Sequence, residues 1–128
     1  MARSVVAAAR AVAVSGLPGV PVSQRVTSAP PRFVRISRAG GPRDRYIDRA
    51  LILVECYAST AAGAPDGPQA EADATALLDA FEVAASGGPW AGLWVSDWEP
   101  GGLVDYENPQ YPKHSRFQFT GTLFVLRI

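Results

Sequence analysis

The single cysteine and the single histidine are the first candidates for chemistry in this chain of 128 residues. Cys56 lies in the most apolar segment, where a free cysteine usually packs as a small hydrophobic residue. His114 follows Lys113 in a polar, proline-containing stretch, so we expect an exposed imidazole without an identifiable catalytic partner. One cysteine excludes an intramolecular disulfide and a multi-cysteine zinc site, and one histidine argues against a conventional zinc site. We therefore predict no catalytic residue and no bound metal.

Carboxylates and glycines are the other groups that could supply a site. Asp97, Glu99, Asp105 and Glu107 could form an acid/base pair or hold Ca²⁺, but the alternating aspartates and the glycine of a calcium loop are absent. We favour a solvated acidic loop. The glycines around residues 16–19 and 40–41 lack the spacing of a phosphate-binding loop, and no serine has the pattern of a nucleophile elbow. We therefore predict no cofactor and no enzymatic activity.

The arginines carry a stronger signal than the carboxylates. The net charge is zero, yet residues 1–49 contain nine arginines and two aspartates, whereas residues 50–128 contain three basic and ten acidic residues. Such asymmetry predicts an acidic partner, nucleic acid, or an acidic face of a neighbouring copy, unless folding mixes the two parts. The sequence pI of about 6.6 argues against a dedicated DNA-binding protein. Five arginines cluster on one predicted hairpin and form a candidate basic interface: Arg35, Arg38, Arg43, Arg45 and Arg49.

Aromatic residues extend this candidate interface. Trp94 and Trp98 have the same parity in a predicted strand, so we expect both on one sheet face, as core or as interface anchors. Residues 99–115 form a loop longer than is usual, and such loops are generally functional or disordered. This loop contains Tyr106 and Tyr111, and we expect it to be an arm that docks on a partner.

The chain must position these residues with a small set of helices and strands. Hydrophobic periodicity and turn residues predict helix 3–14, strands 20–26, 33–39 and 49–59, helix 68–86, and strands 93–98 and 116–127. This order, α-β-β-β-α-β-β, predicts an α+β fold with a mixed, mainly antiparallel sheet of about five strands and two helices packed on one face. Strand 49–59 is apolar on both faces, so we expect a helix or a neighbouring subunit on each side.

The organisation is that of one domain over residues 1–128, with an N-terminal helix in residues 1–15 and the long loop 99–115. A hydrophobic fraction of 48% argues against disorder of the whole chain. No run approaches the 18 apolar residues of a membrane span. Arg10 interrupts the apolar N-terminal stretch, which argues against a secretion signal and predicts a cytoplasmic protein.

Five stretches carry a resemblance to a known family. They are Leu17–Val20, Pro31–Gly41, Leu51–Ala58, Ala70–Ala85 and Tyr111–Val125. In these stretches and in the order of its elements, the chain resembles the tail terminator (tail completion) proteins of long-tailed bacteriophages, particularly those of actinobacterial hosts. The resemblance covers the chain after residue 15.

The resemblance implies a structural virion protein that is not an enzyme. It implies a ring of identical subunits, commonly a hexamer, which caps the tail tube, ends tube polymerisation and joins the tail to the head connector. The implied partners are further copies of the chain, the tail tube protein, the connector protein, and genomic DNA passing through the lumen without sequence readout. The implied location is the head–tail junction of the virion, with the host cytoplasm during assembly.

Three alternatives remain open from the sequence. The chain could be another head–tail joining or minor tail protein of the same structural class. It could be a small α+β enzyme that uses residues 97–114, or a nucleic-acid-binding domain that uses the arginine hairpin.

Overall fold

A computed structural model describes residues 4–25 and 28–127. The elements are α1 (Val5–Gly16), β1 (Val22–Ser23), β2 (Arg32–Gly40), β3 (Ile47–Ala58), α2 (Gly67–Ala84), β4 (Gly88–Trp90), β5 (Leu93–Asp105) and β6 (Ser115–Leu126). The strands form one sheet in the order β1-β2-β3-β6-β5-β4, in which only the β1–β2 pair is parallel. The predicted α+β fold is confirmed, with six strands rather than about five. The predicted strand 20–26 ends at Val26, which lies outside the described residues, as do Met1–Arg3 of the predicted first helix.

Side-chain caps and small residues define the two helices. The Ser4 hydroxyl accepts from the amide of Ala7 at the start of α1, and the Asp66 carboxylate accepts from the amide of Gln69 at the start of α2. The helices pack closely on each other, since a Cβ added to Gly16 would lie 2.7 Å from the Ala80 Cβ. Both helices cover the same face of the sheet.

The core lies between this helical layer and the sheet. Strands β3 and β6 pair along their whole length, from Ile47↔Leu126 to Ala58↔Ser115. Alternate side chains of both strands point to the helices because successive residues of a strand face opposite sides. The buried set includes Ile52, Val54, Cys56, Leu77, Phe81, Phe119 and Leu123. Burial of Cys56 in the core is therefore confirmed.

The opposite face of the sheet has no helical layer among the described residues. Leu51 and Leu53 of β3 and Phe124 and Leu126 of β6 point to this side and are only partly buried. The segment 106–114 folds over one end of this face, where the Tyr111 ring lies 5.2 Å from the Tyr57 ring. Strand β3 is thus covered by helix on one side, and its other side is open along Leu51 and Leu53.

Strand β5 departs from the sequence prediction. Residues 99–105 were expected in the loop, but they continue β5 and pair with β6 as far as Asp105↔Phe117. The strand has two register shifts, one between Val95 and Asp97 and one between Pro100 and Leu103, and the second accommodates Pro100 and two glycines. Because residues 99–105 lie at the sheet edge and are exposed on both faces, they lack the apolar alternation typical of a strand. The remaining loop is residues 106–114.

The first of these shifts also separates the two tryptophans. Trp94 pairs opposite Leu126 on the open side of the sheet and is 48% exposed. Trp98 pairs opposite Leu123 on the helical side, is 7% exposed, and stacks on Phe81 with 4.6 Å between ring centroids. The prediction that both share one face is wrong, because one extra residue in β5 reverses the parity of the side chains between the two register shifts, including Trp98.

Candidate interaction surfaces

Three of the five hairpin arginines are engaged within the chain. Arg38 makes two hydrogen bonds to the buried Asp48 carboxylate, at 2.9 and 2.8 Å, and also donates to the carbonyl oxygens of Gly40 and Gly41. The hydrogen bond to Asp48 is the main cause that raises the pKa of Arg38. Arg49 pairs with Asp44 at 2.8 Å. These contacts hold the turn between β2 and β3, so Arg38 and Arg49 have structural roles.

Arg35 belongs to a network around one buried carboxylate. Glu55 is 3% exposed and accepts from Arg35 at 2.7 Å and from Arg116 at 2.8 Å. The Tyr57 hydroxyl donates to the same carboxylate at 2.8 Å and accepts from the Asn108 amide at 3.0 Å. Burial is the main cause that raises the pKa of Tyr57. Both oxygens of Glu55 are occupied, so this carboxylate binds protein groups rather than a substrate.

Arg32 and Asp73 form another ion pair that sequence periodicity missed. Asp73 of α2 is buried and accepts two hydrogen bonds from Arg32, at 3.1 and 2.7 Å. The pairs Arg32–Asp73 and Arg35–Glu55 join the basic first part of the chain to its acidic remainder. Part of the charge asymmetry is therefore neutralised within one copy.

His114 and Tyr111 are part of an aromatic cluster. His114 was expected to be exposed, but it is buried, its Nε2 lies 2.9 Å from the Pro30 carbonyl oxygen, and its ring lies 5.3 Å from Phe33. Because a carbonyl only accepts, Nε2 carries the proton in this contact. Backbone hydrogen bonds in residues 108–114 turn the segment back onto the sheet, which local composition does not reveal. Tyr111, a predicted interface residue, packs between Phe33 and Tyr57.

Arg43 and Arg45 remain exposed at the turn between β2 and β3. Together with Tyr46 and Arg127 they form a surface that we call the basic tip. Tyr46 is 63% exposed, and the Arg45 guanidinium lies 5.9 Å from its ring centroid. The Arg127 amide donates to the Tyr46 carbonyl, and its guanidinium donates to the carbonyl of Asp44. Within residues 4–25 and 28–127, Arg43 and Arg45 make no ion pair.

A surface of opposite charge lies along β5. Residues 99–107, which we call the acidic edge, are all exposed and include Glu99, Asp105 and Glu107. Strand β4 pairs only with Leu93–Val95, so in the described part of the chain no strand pairs with the outer side of the acidic edge. Leu103, Val104 and Tyr106 supply exposed apolar area, and the Arg116 guanidinium lies 4.8 Å from the Tyr106 ring centroid. The three carboxylates make no ion pair with any described residue.

The third surface is the uncovered side of the sheet. Trp94, Leu126 and Ile47 form one row across β5, β6 and β3, and Phe124 lies between Asp97 and Arg49 in the next row. With Leu51 and Leu53 this set forms the open face. In the sequence, this face was indicated by the apolar residues on both sides of the predicted strand 49–59.

The one cysteine of the chain is free and buried. Burial raises the pKa of the Cys56 thiol, and nearby Asp73 and Glu55 raise it further, so the reactive thiolate is disfavoured. Among residues 4–25 and 28–127, no three His, Cys, Asp or Glu side chains lie where they could hold a metal ion. None of the described helices has the length and apolar character needed to cross a bilayer.

Comparison with known proteins gives no family assignment. No protein-family model matches the chain, and a search of curated proteins finds no match.

Proposed function

We propose that this protein caps the tail tube of a long-tailed bacteriophage as a ring of identical subunits. In this role it ends tube polymerisation and provides the joint to the head connector, with DNA passing through the lumen. The proposal rests on the resemblance of the chain to tail terminator proteins, and it includes no enzymatic step.

The open face is the observation that most supports a structural role. It presents Trp94, Phe124 and two leucines of β3 on a sheet whose other side carries the helices and the buried core. Tryptophan and other large apolar side chains at the centre of a surface are typical anchors of protein–protein contacts. A capping protein must hold the tube, the connector and its own neighbours, so it needs several such surfaces on a small domain.

The roles of the polar side chains also support a non-enzymatic function. Cys56, Glu55 and His114 are the groups most able to do chemistry, and each is buried with its contacts inside the fold. Exposed charges of opposite sign form the basic tip and the acidic edge. Guanidinium groups of the tip suit carboxylate or phosphate partners, so contact with DNA in the lumen needs no base readout.

The test is deletion of the gene from the phage genome that carries it, followed by electron microscopy of lysates. We expect tails of irregular, excessive length that are not joined to heads, and normal particles when the gene is supplied in trans. Tails of uniform length joined to heads would refute the proposal. Tails of normal length that lack heads would instead support a head–tail joining protein at another axial position in the neck.

A further inference from the structure

We propose that the basic tip of one copy docks on the acidic edge of the next copy, so that identical subunits associate head to tail. This inference rests on the proposed ring, and it names the two surfaces that would meet in it.

Exposed charge remains on both surfaces after the ion pairs within one copy are formed. Arg32, Arg35, Arg38 and Arg49 each pair with a carboxylate of their own chain. Arg43 and Arg45 are not paired in this way within residues 4–25 and 28–127, and neither are Glu99, Asp105 and Glu107. The basic tip and the acidic edge therefore each carry exposed charges of one sign that no ion pair within the described residues neutralises, and the two surfaces are complementary.

The tip and the far end of the acidic edge lie well apart in one copy. The basic tip precedes Ile47, the first residue of β3, whereas Asp105 lies opposite Phe117, which pairs with Cys56. At about 3.3 Å per residue, these nine steps separate the tip from Asp105 by about 30 Å along the strands, with β6 between β3 and β5. Asp105 therefore lies too far from the tip to reach it within one copy, so a contact between Asp105 and the tip joins two copies.

Both surfaces also carry exposed apolar side chains. Tyr46 projects from the tip beside Arg45, and Leu103 and Val104 are exposed on the acidic edge. Tyrosine and arginine are enriched among the residues that dominate binding energy. Charged side chains and a proline on an edge strand also prevent it from pairing with strands of other molecules. Protection of this edge is therefore an alternative explanation for the carboxylates and Pro100. A test must therefore separate attraction from simple edge protection.

Contact between two different surfaces is heterologous, which distinguishes it from a two-fold dimer. Such a contact repeats from copy to copy and gives a closed ring when the rotation permits, or a filament when it does not. The inferred contact thus fixes which surfaces lie between neighbours and leaves the open face for the tube or the connector.

Paired charge reversal tests this inference on the full chain. The tip variant is Arg43→Glu with Arg45→Glu, and the edge variant is Asp105→Lys with Glu107→Lys. Matched controls are Lys113→Glu and Glu71→Lys, which reverse exposed charges elsewhere. Association is measured by sedimentation at increasing concentration in low and high salt, and circular dichroism checks that each variant is folded.

We expect the wild type to self-associate at low salt, and each variant alone to associate more than about tenfold more weakly, because like charges then face each other. The controls should associate like the wild type. A mixture of tip and edge variants should regain association, since each tip then meets an edge of opposite charge. The proposal is overturned if the wild type stays monomeric, if a variant alone associates normally, or if the mixture does not recover.

The outcomes also separate this inference from the proposed function. If the mixture of variants does not recover association but gene deletion gives overlong tails, the proposed interface is refuted and the capping function is supported. Recovery in the mixture, together with normal tails on deletion, would keep the interface and remove the capping role.

Discussion

Replacing Glu55 with glutamine tests how strongly the fold depends on its shared carboxylate. The Glu55 oxygens accept hydrogen bonds from Arg35, Arg116 and the Tyr57 hydroxyl, all within 2.8 Å. Glutamine keeps the size of the side chain but removes the charge and replaces one acceptor with an amide donor. Two guanidinium groups would then lie side by side without a counter-charge.

The expected cost follows from the exposure of each partner. Removing one member of a buried ion pair costs about 3–5 kcal/mol, because an uncompensated charge is left behind. The Arg35 side chain is 40% exposed and can turn into water, whereas that of Arg116 is 12% exposed and is held by the Tyr106 carbonyl. We therefore expect a loss of about 3 kcal/mol, at the lower end of that range. Arg35→Met should cost only about 1 kcal/mol, as is typical of a half-exposed pair.

The assay is urea unfolding of the wild type, Glu55→Gln and Arg35→Met at neutral pH and low protein concentration. An unchanged dependence of the unfolding free energy on urea would show that the variants lose stability rather than compactness. The corresponding fall in Tm for Glu55→Gln is about 10 °C for a domain of this size. A loss of stability below about 1 kcal/mol for Glu55→Gln would refute the role assigned to this carboxylate. A loss for Arg35→Met that exceeds the loss for Glu55→Gln would refute it as well.

Three further predictions follow from the core, the thiol and the turn between β2 and β3. Gly121→Ala should cost about 1–3 kcal/mol in urea unfolding, since a Cβ there would lie 2.2 Å from the Trp98 ring. Cys56 should resist a thiol reagent between pH 7 and 9 until urea unfolds the chain, because burial raises its pKa. The pKa of Asp44 is lowered mainly by Arg49, so its contribution to stability is present above its usual pKa of 3.8 and is lost as pH falls. Asp44→Asn should therefore lose less stability than the wild type on acidification below that value.

Each of these predictions has an outcome that would contradict it. Normal stability of Gly121→Ala would mean that the Trp98 ring can move at no cost. Rapid labelling of Cys56 in the folded protein would show that the core opens on the time scale of the reaction. Identical acid-unfolding curves for Asp44→Asn and the wild type would show that the ionised Asp44 does not contribute to the pH dependence of stability. For all three, Lys113→Glu serves as a surface substitution outside these sites.

The sequence predicted the parts of the fold that depend on local signals. Helix α2 has both a capping aspartate at Asp66 and an apolar stripe, and strand β3 has a continuous apolar run, so both were found with nearly correct bounds. Residues 99–105 were missed because an exposed edge strand with Pro100 and two glycines has the composition of a loop. The parity of Trp94 and Trp98 failed because a register shift in a strand leaves no residue signature.

The sequence predicted which residue types the candidate surfaces contain, but not which of their arginines form ion pairs within the chain. The sequence identified an arginine-rich hairpin, yet it could not show that Arg35 and Arg38 reach Glu55 and Asp48 on the adjacent strand. That knowledge requires the β2–β3 register, in which Arg35 lies directly opposite Glu55. Burial of His114 likewise depends on a turn whose geometry comes from tertiary contacts with Phe33.

The shared carboxylate has a consequence for how relatives of this chain can diverge. Loss of Glu55 alone leaves two arginines without their carboxylate. Loss of Arg116 alone leaves the buried Glu55 carboxylate with Arg35 as its one counter-charge and frees the Tyr106 carbonyl. Selection should therefore keep Arg35, Glu55 and Arg116 together or replace them together, while the apolar residues around them drift. Because the strand register fixes their spacing, this covarying triplet should stay detectable after overall sequence similarity has decayed, and a distant relative should be found by it.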